Sequence, residues 1–214
     1  MVLYRDESVK TTLMYRVTDN EWEDEIVEDL MNLQSIGIVI ESVTTDGGKN
    51  IIKAVEKACL HAIRQRCLAH IQRECNVWLT KSPKSVAGKE LKHIVNLISK
   101  VKTNNDMLQW RIELADWYER HRTWINQKST KIGSHTEWFT HKMVRKAYVH
   151  LKNALPNMLN FLKNPNVQRT TNALESYFGH LYENMSLHRV LSIEHCKNYV
   201  RWYIYFRNES NKGR

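Results

Sequence analysis

The sequence predicts an α/β fold interrupted by a large all-helical insertion, and three observations predict it. Up to Cys67, strand-like and helix-like runs follow in the order strand, strand, helix, strand, helix, strand. From Leu68 onward the apolar residues recur at helical spacing with almost no break. Three prolines and seven glycines in 214 residues leave no low-complexity linker, so composition marks no clean boundary between the α/β part and the insertion. An apolar fraction of 42% with seven tryptophans supplies a core for a chain of this size.

The elements can be justified in order. "VLY" and "TTLMYRVT" are rich in β-branched and aromatic residues and flank the turn-like "RDES", which predicts an antiparallel hairpin. Asp19 or Asn20 is expected to cap a helix whose acidic first turn, "NEWEDE", suits the positive end of the helix dipole. Trp22, Ile26, Leu30 and Leu33 give that helix an apolar stripe, and Gly37 stands where a helix ends. "IVIESVTT" reads as a strand that stops at Asp46-Gly47-Gly48, followed by a helix over 49–58, and "HAIRQRC" reads as a weaker strand. "ELKHIVNLISKV" places Leu91, Ile94, Val95, Ile98 and Val101 on one helical face. The next helix carries Trp110, Leu114, Trp117 and Trp124. Such a stripe either stacks on bases or faces a core, and the core is the commoner use.

A further helix is expected over 136–162, broken before Pro156, with Lys142, Arg145 and Lys146 on one face. That basic face either contacts phosphates or is simply solvated. The last third begins a helix at Thr171 or Asn172, with Leu174, Phe178 and Leu181 as its buried edge. Glu175 shares another face with Asn172 and Gly179, and the glycine keeps that face low enough for something bulky to approach the carboxylate. The segments are therefore 1–76 and 166–214 as the α/β core and 77–165 as the helical insertion.

Lysine and arginine number 32 against 23 aspartates and glutamates, a net charge of +9. That excess favours a polyanionic partner, because basic side chains gain by displacing counterions from phosphates. Charges at Arg5, Asp6 and Glu7 exclude a signal-peptide core, and no run approaches a membrane span. A soluble, intracellular protein with reduced thiols and no membrane partner is expected, and the family resemblance described below implies a cytoplasmic, nucleoid-associated one. Cys59, His61, Cys67, His70 and Cys75 also raise a structural zinc site, although their spacing lacks the paired knuckles of zinc motifs.

Three stretches carry a resemblance. In order they are "YRVTDNEWEDEIVEDLMNLQSIGIVIESVTTDGGKNIIKAV", "QRCLAHIQRE" and "TTNALESYFGHLYENMSLHRVLS". Together they resemble the catalytic domain of bacterial insertion-sequence transposases of the Mutator-like family. The resemblance implies an RNase H-like mixed sheet flanked by helices, interrupted by a helical insertion, with a metal site built from three acidic residues. Asp46 matches the second acid and Glu175 the third. Both are implied to be catalytic ligands of Mg²⁺ (or Mn²⁺), ions that prefer carboxylate oxygens. Cys67 and His70 match a short Cys-x-x-His signature that organises the site or contacts DNA.

Lys49, Asn172, His188 and Arg189, with Lys142, Arg145 and Lys146, are the candidate contacts to double-stranded DNA, both transposon ends and target. His188 and Arg189 equally read as a loop that pins two helices. Set against that family, "VLYRDES" is a second strand, so the first strand and its aspartate are expected to lie before Met1. The implied function is a DNA transposase catalytic domain for phosphodiester cleavage and strand transfer, present as an incomplete fragment. The alternative is a non-catalytic DNA-binding or inhibitory partner of a full-length transposase, acting as a homo-oligomer or hetero-oligomer.

Overall fold

The structure, a computed structural model, describes residues 1–131, 133, 136–187 and 192–212. The chain divides into two compact units: residues 1–64 with 166–214, and residues 65–165.

In the first unit, β1 (Val2–Asp6) and β2 (Thr11–Arg16) form the expected antiparallel hairpin, with Leu3 opposite Tyr15. Asp6 ends β1 and its carboxylate accepts from the Ser8 N–H and hydroxyl, closing the turn locally. On β2 the backbone of Thr12 is satisfied in both directions by one side chain. The Asn208 amide accepts from its N–H and donates to its carbonyl, both at 2.9 Å. A side chain thus closes part of a strand edge that would otherwise invite a further strand.

Helix α1 (Glu23–Ser35) follows, with Glu23, Asp24 and Glu25 in its first turn. Its N-cap is Trp22, whose side chain makes no capping bond, rather than Asp19 or Asn20. Trp22 therefore stands outside the buried stripe and is 56% exposed, while Ile26, Leu30 and Leu33 are buried as expected. Asp29 is the fourth buried residue of that face, an ionisable group that the apolar pattern did not reveal. The helix ends at Gly37, whose φ of +90° is open to glycine. There Gly37 N–H reaches the Gln34 carbonyl and Ile38 N–H the Leu33 carbonyl, a Schellman pair.

Strand β3 is shorter than its apolar run suggests, Ser42–Thr45, and Val39 before it is exposed. Helix α2 (Lys49–Ala58) then packs Ala54, Val55 and Cys59 against Ile26 and Leu30 of α1. Strand β4 (Ile63–Arg66) pairs with β3. The strands do not merge into one mixed sheet: β1–β2, β3–β4 and a later pair form three separate two-stranded sheets among the described residues. Four- to six-residue strands whose side chains are half-buried gain little from extending a sheet. The helices α7 (Asn172–Leu187) and α8 (Ile193–Lys212) instead cover the hairpin, burying Leu3 with Tyr177, Leu181, Val200 and Ile204. Tyr177 replaces Leu174 and Phe178 at the centre of the α7 contact, since those two are half-buried at its margin.

The second unit is held by α3 (Leu68–Leu79), α4 (Val86–Leu97), α5 (Asn104–Ile125) and α6 (Lys142–Ala154). Leu91, Ile94, Val95, Ile98 and Val101 are all buried, as their spacing required. Trp110 and Trp117 belong to the core and not to a stacking platform. Each donates its indole N–H to a backbone carbonyl, of Ile94 at 2.8 Å and of Ala87 at 3.0 Å. Helix α5 opens with a capping box between Thr103 and Asp106.

The helix expected from 136 begins only at Lys142. Before it, β5 (Lys128–Thr130) and β6 (Glu137–Phe139) form a short hairpin. "EWF" offers no helical stripe and pairs its backbone with "KST" instead. Helix α6 does end at Ala154, short of Pro156.

Candidate metal and nucleic-acid site

Asp46 lies on the turn between β3 and α2, in the first unit. Its Oδ1 accepts the Gly48 N–H at 2.9 Å, an Asx-type turn that orients the carboxylate at the start of α2. Gly47 adopts a φ of +97°, so a side chain there would strain the turn that holds Asp46. Lys49, the first residue of α2, is exposed beside it.

A second carboxylate stands near this turn, and neither composition nor periodicity pointed to it. A Cβ placed on Gly48 would meet Glu21 Oε2 at 3.5 Å and Asp46 Oδ1 at 3.6 Å, so the two oxygens lie within about 7 Å of each other. The Asn50 amide donates to the Glu21 carbonyl at 2.8 Å, tying the residue before α1 to the first turn of α2. Glu21 also lines a cavity of about 590 Å³ with Asp19, Asn20, Trp22 and Asn50. The contact follows from how α1 packs on α2, and no local pattern in "TDNEWE" announces it.

Glu175 sits in the first turn of α7, in the same unit, half-buried. The Thr171 hydroxyl donates to its Oε1 at 3.4 Å, and the Thr171 carbonyl accepts its N–H at 2.9 Å. Asn172 is exposed beside it. One turn on, a Cβ at Gly179 would meet nothing within 4 Å, so the face carrying Glu175 is open as expected. The strand leading to Asp46 and the segment leading to Glu175 are joined directly: the Thr44 hydroxyl donates to the Gln168 carbonyl at 2.6 Å. Among the described residues, no group of three or more His, Cys, Asp or Glu side chains is placed to hold a metal ion.

Cys67 and His70 lie in the second unit. Cys67 is fully buried as the N-cap of α3, and its Sγ accepts the His70 backbone N–H at 3.4 Å. The Cys-x-x-His spacing is thus the spacing of a cap to the residue three along. Near His70, His150 of α6 is half-buried and lies 3.0 Å from Glu74. Burial lowers the His150 pKa and outweighs the opposing pull of Glu74, so the ring stays neutral near neutral pH.

Lys142, Arg145 and Lys146 are on α6 in the same unit. Arg145 lies over the Phe139 ring at 3.7 Å and bonds Asn126, while Lys146 lies over Trp78 at 4.2 Å. Two of the three cations are therefore held by aromatic faces, and Lys142 is exposed. His188 and Arg189 lie outside the described residues.

The cysteines make a direct check of this arrangement. Burial raises the Cys59 thiol and pushes Cys75 up to about 12, and Cys67 is fully buried, whereas Cys196 is half-exposed. Iodoacetamide at pH 8 is expected to alkylate Cys196 alone in the native protein and all four cysteines in urea, read by peptide mass spectrometry.

The model of the Transposase IS66 family matches residues 3–177, a span that contains both Asp46 and Glu175. The chain belongs to the IS66 transposase family. This is an insertion-sequence transposase family, as the motifs implied, but a different one from the Mutator-like group that they resemble. No curated protein and no solved structure matches this IS66-family chain at a significant level. Among the described residues of the chain, no helix is long and apolar enough to cross a membrane.

Proposed function

We propose that this IS66-family chain acts in metal-dependent phosphodiester cleavage and strand transfer at transposon ends, with Asp46 and Glu175 as its metal-binding carboxylates. The observation that carries the reading is the family match across both residues, together with the Thr44–Gln168 bond that links their two segments. The donors suit the ion. The space over Gly48 is bordered by carboxylate oxygens of Asp46 and Glu21, hard ligands of the kind Mg²⁺ or Mn²⁺ takes. When bound, such an ion stabilises the attacking and leaving oxygens of a phosphodiester together.

The chain's own residues do the rest. The Gly48 N–H orients Asp46, the Thr171 hydroxyl orients Glu175, and Asn50 holds Glu21 beside the turn. Lys49 and Asn172, exposed at two helix starts in the same unit, present a cation and an amide to the phosphate backbone. Lys142, Arg145 and Lys146 supply the sequence-independent part of DNA affinity, with a salt slope set by the phosphates they neutralise.

The test is cleavage of a duplex carrying the element's own terminal sequence, with Mg²⁺ or Mn²⁺ added or chelated. Ion-dependent nicking at the terminus supports the reading. A second reading is favoured by the separate two-stranded sheets and by the lack of a three-residue acidic group among the described residues. It is a DNA-binding or inhibitory partner of an active transposase. Salt-dependent duplex binding with no nick under any metal condition selects that one.

A further inference from the structure

Helix α6 presents a face of one charge. Lys142, Lys146 and Lys152 are exposed, Arg145 is half-buried, and the helix contains no aspartate or glutamate. Their spacing puts all four cations on the side away from Ala147, Leu151 and Ala154, which are buried. Acids on neighbouring segments are already paired, Glu137 with Lys128 at 2.8 Å and Glu119 with Arg122 at 3.3 Å. A single-signed helix face about 20 Å long suits a polyanion.

Arg145 differs from the lysines around it, because its guanidinium is fixed. The group rests on β6, its Cζ 3.7 Å from the centre of the Phe139 ring. Its Nε donates to Asn126 Oδ1 at 3.2 Å. That amide is itself anchored where α5 ends, by donating to the Arg122 carbonyl at 2.8 Å. Among the described residues, nothing takes the two Nη groups of Arg145. A fork held at one end and idle at the other has lost its rotamer freedom before any ligand arrives. Such fixing adds little toward a phosphate, which a mobile ammonium satisfies as well. It matters for a pair of acceptors at fixed spacing. In DNA that pair is O6 and N7 of guanine, in a major groove wide enough to admit a helix. Arg145 also stands one turn in from the start of α6, the end by which a recognition helix enters that groove.

We propose that α6 is a major-groove reading helix in which Arg145 contacts O6 and N7 of one guanine, while Lys142, Lys146 and Lys152 hold flanking phosphates. Asn126 and Phe139 are positioning residues for that fork. The charge of Arg145 adds to affinity for any duplex, and its fixed geometry adds the preference for a base. The inference rests on the reading of this chain as a DNA-binding protein and is independent of the metal site.

Selection from a random-sequence duplex library in EDTA, followed by binding titrations over a salt series, tests it. The unaltered chain is expected to enrich duplexes with a guanine at one fixed position. Arg145→Lys is expected to lose roughly tenfold in preference for that guanine and to keep the rest of the selected sequence. Asn126→Ala leaves every charge in place and should lose part of the same preference with the salt slope unchanged. Lys142→Ala should weaken binding to all duplexes alike and lower the salt slope by about one. Circular dichroism and melting verify folding, and Asn126→Ala remains readable if Arg145→Lys fails to fold. Failure to bind or to enrich any guanine overturns the proposal, as does a preference unmoved by both changes. A loss in Arg145→Lys that is equal across all duplexes makes the contact a phosphate and overturns it too. If metal never brings nicking while the guanine preference responds to Arg145→Lys, the cleavage reading falls and this one stands; nicking without base preference does the reverse.

Discussion

Asp46→Asn is expected to lower metal-dependent cleavage of a terminal DNA duplex by roughly 10²–10³-fold, with folding unchanged. Asparagine keeps the volume and can still accept the Gly48 N–H through its amide oxygen, so the Asx turn persists. What it removes is the negative charge that a hard divalent ion requires. Mn²⁺ affinity, measured by electron paramagnetic resonance on the same samples, should fall in parallel, which separates loss of the ion from loss of DNA binding. Glu175→Gln is expected to behave alike, because Thr171 can still donate to the amide oxygen. Duplex affinity at fixed salt should be unaltered in both. Cleavage at the unaltered rate in Asp46→Asn would sink the metal-site assignment.

Arg16→Met is expected to destabilise the first unit by about 3–5 kcal/mol, and Asp29→Asn by only about 1–3 kcal/mol. The asymmetry follows from burial. Asp29 is fully buried, and its carboxylate takes the Arg16 Nε and Nη2 together with the Tyr4 hydroxyl at 3.0 Å. Removing Arg16 leaves a buried charge with one neutral donor. Removing the charge on Asp29 leaves a guanidinium that is 28% exposed and still paired with Glu28 at 2.7 Å. Urea unfolding followed by circular dichroism ranks the two, and an equal or reversed order contradicts the argument.

The same cluster predicts an alkaline limit. Burial, with Asp29 next to it, raises the Tyr4 pKa well above the ordinary tyrosine value of 10.0. Above pH 10 the unfolded chain therefore releases a proton that the folded chain retains. Stability is full below that pH and falls as pH rises beyond it. Tyr4→Phe should flatten this fall in unfolding measurements between pH 9 and 11.

How much was legible beforehand depended on whether a signal was local. The helix over 49–58 and the stop at Gly37 could be read because a helix start, an apolar face and a left-handed C-terminal glycine are written in consecutive residues. The face Leu91-Ile94-Val95-Ile98-Val101 was legible for the same reason, being one stripe of one helix. The strands were harder. "IVIESVTT" has the composition of a long buried strand, yet only Ser42–Thr45 pairs, because pairing needs a partner edge that composition cannot specify. "EWF" was absorbed into a helix for the opposite reason: its hairpin partner, "KST", has no strand signature of its own.

The candidate site shows the same division. Asp46 on a glycine turn and Glu175 beside an open glycine face were visible as positions in the sequence, and the resemblance to transposases is what implied that they belong to one site. Glu21 could not, since it reaches the turn at Gly48 only through the packing of α1 on α2. The Cys67–His70 pair was visible as a spacing, but that Cys67 caps a helix with its sulfur depends on where β4 ends and α3 begins.

By itself, then, the sequence determined most of the helices, the basic charge and the kinship with insertion-sequence transposases, because these reside in local periodicity, composition and ordered motifs. Only the tertiary structure decided that the strands of the described residues stay in separate pairs, that Asp29 is buried on Arg16, and that Glu21 comes near Asp46 at Gly48. Each of those depends on which distant segments meet, and burial and charge pairing are properties of that meeting rather than of either segment alone.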